Sequence, residues 1–297
     1  MSDEKDDLSL SALFWEVRRR LVADEAIPLA GNIAFRIVFS AFPFLIFLTA
    51  LAGLFGNAVW AEQVVNFLLS VAPEALVKPL AGEVRSILTV QRSGLAGIAA
   101  FLTVWSAMGG VDSVRVGLNR AYNLTDQRSI WVLYAIDVLF VIGTAAILLV
   151  MAVLIVLFPV GLKIIASTTG GLPAALTQVD QYRYPFALIL LTAGVYAAHR
   201  ALPAKRLTWR EVLPGVLLTV ITWIAMAAGF SFWLLHFNSF ASTYASLSGV
   251  FAAMFFVYMA ALLLILGGEL NRVLQLVRQH RLEKSQRQHD DDSSVSD

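Results

Sequence analysis

Long apolar stretches separated by short charged clusters dominate the pattern of hydrophobic and polar positions along this chain. Residues 37–61, 93–111 and 138–162 contain no Asp, Glu, Lys or Arg. A shorter charge-free stretch covers 184–199, and a much longer one covers 212–268. A helix that crosses a bilayer needs about 20 consecutive apolar residues. The pattern therefore predicts an all-α, polytopic membrane protein.

The longest stretch holds two helices, because "HFNSFASTYASLSG" (236–249) interrupts it with small and polar residues. The six transmembrane helices predicted in this way cover about 31–56, 94–118, 131–159, 183–200, 212–235 and 246–270. The fourth of them has a short apolar core, so Arg183 and Arg200 must snorkel towards the headgroups at its two ends. Together these helices form a transmembrane domain over 31–272.

The positive charges predict the orientation of the helices. About three-quarters of the 22 lysines and arginines lie in the segments that share a side with the N-terminus. Cytoplasmic loops are enriched in these two residues. We therefore expect both termini in the cytoplasm, which requires an even number of spans.

Three segments are predicted to lie outside the bilayer. The arm 1–30 contains "LSLSALFWEVRRRL", whose apolar residues share one helical face. This helix either lies on the inner surface, with its arginines on anionic headgroups, or docks on the bundle. The segment 60–92 predicts amphipathic helices on the outer surface, broken by Pro73 and Pro79. The tail 273–297 is basic, then acidic, and is expected to be disordered.

Composition excludes several classes of function. Only 14% of residues are charged, against about 25% in soluble domains, and there is no cysteine. The phosphate-binding, nucleophile-elbow and metalloprotease motifs are all absent, and the four histidines are scattered. We therefore expect no catalytic residue, metal, cofactor or nucleic-acid partner. Membrane lipids are the expected partners, and any transport is passive, ion-coupled or driven by another protein.

Five ionisable residues lie within or at the ends of predicted spans: Arg36, Asp112, Arg115, Asp137 and Glu269. The predicted topology places all five towards the cytoplasmic half. A charge at mid-bilayer is costly, so such residues normally face a partner or water. One interpretation is a structural clamp in which they neutralise one another, with Glu269 as the preferred partner of Arg36. A second is a water-accessible cavity for a charged headgroup or a coupling ion, and a third is interfacial snorkelling without pairing.

Three further positions concern helix shape. Pro43 removes a backbone hydrogen bond inside the first span and predicts a kink, a feature that often lines a transport path. Gly109 and Gly110 lie just before the charged turn of the second span. Adjacent glycines permit either close helix packing or a hinge.

Four stretches resemble the signatures of the YihY/BrkB family of bacterial inner-membrane proteins. They are "AFRIVFSAFPFL", "WSAMGGVDSVRVGLNRAYN", "WREVLPGVLLTVITW" and "FNSFASTYASLSGVFAAMFFVYMAALLLILGGELNRVL". The resemblance runs from about residue 25 to 275. It marks Asn119, Glu269 and Asn271 as motif positions, whereas Arg36 stands where the family has an aromatic residue.

The resemblance implies six transmembrane helices and the bacterial inner membrane, but no settled activity. The family has carried a ribonuclease label and has been linked to serum resistance and to movement of lipids or other solutes. Our leading hypothesis is a transporter, without its own ATPase, for a lipid or amphiphile. The alternatives are a channel or secondary exporter for a small polar solute and a scaffold that transports nothing.

Overall fold

The computed structural model describes residues 10–55, 62, 93–159, 161–162, 174–236 and 245–295. These residues are almost entirely helical, and none of them forms a β-strand. The helices are α1 (Leu10–Ala23), α2 (Ala26–Phe55), α3 (Ser93–Ala121), α4 (Ile130–Ala152), α5 (Ala174–Ala201), α6 (Trp209–His236) and α7 (Ala245–Val295). A π-helical turn, Val153–Leu157, continues α4. The expected all-α class is confirmed.

Five of these helices, namely α2, α3, α4, α6 and α7, are long and apolar enough to cross a membrane. The stretches that qualify are Ala26–Phe47, Gly97–Ala121, Ile130–Ile155, Trp209–Trp233 and Gly249–Gln288. Helix α5 contains the fourth predicted span and has 28 residues. It carries charged residues along its first half and at Arg200, so it is not among the five. The sixth span stays a prediction.

Apolar side chains cover the outside of the helices. On α4, large residues such as Leu139, Ile142, Leu148 and Leu149 are exposed. A continuous exposed face of this kind is unfavourable in water but matches the hydrocarbon core of a bilayer. The chain is therefore a multi-pass membrane protein.

The described residues divide into two compact units. The larger unit combines Met1–Ala34 with Val111–Asp297. Within it, α6 packs against α5 and α7, α4 packs against α5, and α1 packs against α7. A buried core joins the end of α3 to α5, α6 and α7, and is formed by Leu118, Tyr122, Val195, Leu202, Leu207, Val212, Val216, Val220 and Leu264.

Two glycines allow α6 and α7 to cross at very close range. A methyl group placed on Gly267 would lie 2.7 Å from the carbonyl oxygen of Gly215. A methyl group on Gly215 would collide with the carbonyl oxygen of Gly267 and with the side chain of Asn271. Inside a bilayer the hydrophobic effect does not drive helices together. Small residues at helix crossings let the backbones approach closely and gain van der Waals contacts instead.

The smaller unit, Phe35–Gly110, contains the later part of α2 and the earlier part of α3. Helix α2 is one continuous helix in which Pro43 is an internal residue. A methyl group on Gly110 would lie 3.3 Å from the Ile37 side chain. Gly109 and Gly110 lie inside the continuous helix α3, and their role in close packing or as a hinge stays a prediction.

The C-terminal segment differs from its prediction. The tail was expected to be disordered, but α7 continues through it to Val295. Residues 272–288 are rich in Arg, Leu, Gln, Glu and Lys, which are strong helix formers and favour the extension of α7 over the basic part of the tail. The outer segment 60–92, apart from residue 62, and the predicted turn at 237–244 lie outside the described residues.

Helix α1 packs on the helical bundle, which is one of the two arrangements predicted for it. It packs against α7 and buries Val17, while Leu13 and Leu21 are partly covered. Phe14 and Trp15 point away from this contact and are 64% and 59% exposed. Docking therefore leaves an aromatic surface for another neighbour.

Candidate functional site

A buried arginine on α3 forms ion pairs with three carboxylates. Arg115 lies one helical turn after Asp112 and forms a short ion pair with it. Its other contacts are with Asp126 at 3.1 Å and Asp137 at 3.6 Å. The side chains of Arg115 and Asp137 are only 7% and 3% exposed. Asp137 comes from the second turn of α4, so the arginine ties α3 to α4.

The loop between α3 and α4 completes this group. Arg128 donates from Nε and Nη2 to the two carboxylate oxygens of Asp126, at 2.8 and 2.6 Å. Its Nη2 also donates to the carbonyl oxygen of Leu202 at 2.7 Å, just after α5. The side-chain hydrogen bonds from Arg128 hold the pKa of Asp126 well below its usual range.

Asn119 joins the same group from α3. Its amide nitrogen donates to Asp126 at 3.2 Å, and its amide oxygen accepts from the backbone nitrogen of Ala204 at 2.7 Å. We call Asp112, Arg115, Asn119, Asp126, Arg128 and Asp137 the Arg115 cluster. It connects α3, α4, the α3–α4 loop and the α5–α6 loop.

The Arg115 cluster has an excess of negative charge when all its groups are ionised, with three carboxylates against two guanidinium groups. Asp137 is the least satisfied member. Its Oδ1 is 3.6 Å from Arg115 Nε, beyond hydrogen-bonding distance, and neither atom has another hydrogen-bond partner among the described residues. The cluster can therefore act as a clamp, in which one oxygen of Asp137 is left without a hydrogen-bond donor among the described residues.

Asn271 forms the centre of a second polar group. Its amide nitrogen donates to the Tyr122 hydroxyl at 2.8 Å and to the Val212 carbonyl at 3.1 Å, and its oxygen accepts from Gly215 N at 2.6 Å. The Tyr122 hydroxyl lies 2.9 Å from Nδ1 of His199. All these side chains are buried. Their hydrogen bonds connect the end of α3 with α5, α6 and α7.

Glu269 does not belong to the Arg115 cluster. It is fully buried on α7, and the ionisable groups that act on it are Asp24 and Arg20. Neither carboxylate oxygen has a hydrogen-bond donor among the described residues. A buried carboxyl without a donor is unusual and requires a positive neighbour or a proton.

Arg36 lies in the smaller unit. Its Nη1 donates to the carbonyl oxygen of Gly109 at 3.3 Å. A methyl group on Gly109 would lie 3.1 Å from that same nitrogen. Gly109 therefore gives the guanidinium access to the backbone, and the pairing of Arg36 with a carboxylate stays a prediction.

The sequence interpretation missed several residues of these groups. Neither Asp126 nor Arg128 was predicted to belong to a site, although "TDQR" places opposite charges two residues apart. Tyr122 directly follows the last residue of α3, and Asp24 lies at the junction of α1 and α2. No local pattern marks either residue, because their partners are far away in the sequence.

No group of three or more His, Asp or Glu side chains in the described ranges could hold a metal ion. Among the polar groups above, the buried Tyr122 hydroxyl lies beside the imidazole of His199, and the other contacts are ion pairs and hydrogen bonds. Their chemistry is ion pairing, hydrogen bonding and proton binding.

Comparison with known proteins gives consistent matches. The family model described as "Virulence factor BrkB" matches residues 17–292. The ribonuclease-like protein YfkH of Bacillus subtilis is 26% identical over 260 residues, 87% of this chain and 94% of that protein. A UPF0761 membrane protein of Pseudoalteromonas atlantica is 25% identical over 208 residues, 69% of this chain and 66% of its own. One of Tolumonas auensis is 27% identical over 112 residues, 38% and 34% of the two chains. No solved structure matches.

Proposed function

This chain belongs to the BrkB family of membrane proteins, and on that premise we propose that it is a transporter of the bacterial inner membrane. It moves a lipid or another amphiphile and has no ATPase of its own. The observation that carries the proposal is the Arg115 cluster, which places buried, net negative charge at the ends of apolar helices. Burying charge in such a protein is expensive and usually serves an ion or substrate path.

Helix α1 supplies the second support. The exposed rings of Phe14 and Trp15 lie beside exposed arginines, and Arg18 stacks over Trp15 at 5.0 Å. Aromatic side chains prefer the headgroup level, and arginines bind anionic headgroups. This surface would hold lipid headgroups at the cytoplasmic face, next to the bundle on which α1 docks.

The proposal includes six spans, with α5 as the fourth, and both termini in the cytoplasm. In the larger unit, Arg128 bonds to Leu202 and Asn119 bonds to Ala204, and α1 packs on α7. These contacts join the α3–α4 connection to the α5–α6 loop and the N-terminal arm to α7, and the charge distribution assigns all of these segments to one side of the membrane. Their common location supports the even number of spans.

This topology can be tested with single cysteines, because the chain contains none. Gln127→Cys and Lys205→Cys occupy exposed loop positions. Both should react with an impermeant thiol reagent only after the cytoplasmic face is opened. Asn238→Cys, in the predicted outer turn, should react from outside in intact cells. The opposite labelling pattern would reverse the topology.

Transport itself is tested in vesicles that contain anionic and zwitterionic phospholipids. A fluorescent lipid in the inner leaflet is protected from a membrane-impermeant quencher until it crosses. We expect faster exchange with protein than in protein-free vesicles, and slower exchange with Asp137→Asn. Release of a trapped polar dye instead would indicate a channel, and no effect on either probe would refute transport.

A scaffold that transports nothing is the second candidate. The observation in its favour is that Asp112, Asp126 and Arg128 are satisfied within the Arg115 cluster. A cluster of this kind also stabilises helix packing. The lipid-exchange experiment separates the two, since a purely structural cluster predicts no exchange by folded protein.

We also propose that the chain is not an enzyme, whatever the ribonuclease-like name of its Bacillus relative. The support is the chemistry of its polar groups, in which carboxylates pair with arginines. Incubation of purified protein with RNA and divalent metal should leave the RNA intact. Cleavage that disappears in Asp112→Asn would refute this.

A further inference from the structure

A buried carboxyl group on α7 faces a second carboxyl group from the α1–α2 junction. Glu269 is fully buried, and neither of its oxygens has a donor among the described residues. Its direct side-chain neighbour is Asp24, in the turn that separates α1 from α2. Two carboxyl groups accept hydrogen bonds when ionised, so neither can satisfy the other without a proton between them.

The charged groups nearby do not remove this requirement. Arg20, on α1, attracts Glu269 electrostatically, but its Nε donates a hydrogen bond to Glu16 at 2.9 Å. Arg272, one turn further along α7, has a buried Nε without a partner but makes no hydrogen bond to Glu269. Glu25, next to Asp24, is engaged by Arg120 of α3 at 3.7 Å.

We propose that the Asp24–Glu269 pair is a proton-binding site in which Glu269 carries the proton and donates it to the Asp24 carboxylate. The donated bond satisfies the buried acid, and the remaining negative charge rests on Asp24, which is partly exposed. A metal ion fits less well, because no group of three or more possible ligands exists among the described residues.

The site lies where the α1–α2 junction meets α7. Helix α1 packs against α7, and Asp24 is followed by Glu25, which has a φ of 55° in the left-handed region. Loss of the proton would place two negative charges side by side and push α1 away from α7. If the transport proposed above is correct, this proton is the candidate coupling ion, because the sequence contains no phosphate-binding loop.

Infrared spectroscopy of the purified protein tests proton binding without reference to transport. At neutral pH we expect the C=O band of a protonated carboxylic acid, sensitive to deuterium exchange. Labelling with ¹³C-glutamate should shift it, which assigns it to Glu rather than Asp. Glu269→Gln should abolish the band, while the control Glu25→Gln should retain it.

The pH dependence of stability gives a second readout. Wild type should melt at lower temperature as the medium is made alkaline, because the two carboxylates then repel each other. Glu269→Gln keeps a donor to Asp24 and should remove this loss, whereas Glu25→Gln should not. If Glu269→Gln fails to fold, Glu269→Asp decides the question, because the band should then respond to ¹³C-aspartate instead of ¹³C-glutamate.

Two outcomes would overturn the proposal. Absence of a glutamic acid band at neutral pH would show that Glu269 is ionised. If the glutamic acid band is absent and the melting temperature also depends on added sodium, potassium or calcium, the site binds a metal cation instead. Normal lipid exchange by Glu269→Gln would leave the transporter in place and remove only the coupling role of the proton.

Discussion

Removal of Arg115 should be among the most damaging single changes to this protein. The Arg115 side chain is nearly inaccessible to solvent and forms an ion pair with Asp137, which is 3% exposed. Arg115 Nε lies 3.6 Å from Asp137 Oδ1. Asp126 keeps its two hydrogen bonds from Arg128 when Arg115 is lost. Asp112 is partly exposed and can be hydrated. The damage therefore falls on Asp137, which would be left as a buried charge without its ion pair.

The magnitude follows from what a broken buried ion pair costs. Removing one partner of such a pair lowers stability by about 3–5 kcal/mol, because the other charge stays buried and uncompensated. Protonation of Asp137 would reduce this loss. A matched control is Arg120→Ala, which also removes an arginine from α3. Arg120 is half exposed and lies 3.7 Å from the exposed Glu25, so its removal should cost at most about 1 kcal/mol.

The assay is thermal unfolding in detergent, followed by the fluorescence of the seven tryptophans. At about 2–4 °C per kcal/mol, Arg115→Ala should lower the apparent melting temperature by roughly 6–20 °C. The double variant Arg115→Ala with Asp137→Asn should recover a large part of that loss. If Arg115→Ala melts like Arg120→Ala, or if the double variant is no better than the single one, the ion pair does not stabilise the fold.

Three other predictions follow from the same contacts. Because the pKa of Asp126 is depressed in the fold, its contribution is present at neutral pH and is lost on acidification. The difference in melting temperature between wild type and Asp126→Asn should thus shrink below about pH 4. Gly215→Ala should destabilise the crossing of α6 and α7, whereas Gly229→Ala, on the same helix with open space around it, should not; equal melting would contradict the crossing. Asn271→Ala should lower the melting temperature by more than Gln279→Ala, which changes an exposed amide on the same helix, since it leaves Gly215 N without its acceptor.

The sequence by itself determined that this is an all-α, multi-pass membrane protein. Each residue contributes a transfer free energy that depends on its own chemistry, so a run of apolar residues predicts insertion without knowledge of its neighbours. The predicted spans in α2, α3, α4, α6 and α7 are confirmed as membrane-length helices. Helix α5 was the weakest of these predictions for the same reason, because its charges reduce the insertion signal.

The depth of the charges in the predicted spans suggested that they could neutralise one another. The structure pairs Asp112 with Arg115, which are three residues apart on one face of α3. The depth of Asp137, at the start of the next helix, suggested that it could join them. It does so at 3.6 Å.

Only the tertiary structure decided which helices are neighbours and therefore which polar groups meet. Hydropathy specifies how deep a residue lies, but not the direction in which its side chain faces around the bundle. Glu269 and Asn271 are two residues apart on α7, yet one faces Asp24 and the other faces Tyr122. Their partners come from α1 and from the end of α3 because side-chain packing and the close crossing at Gly215 set the order of the helices.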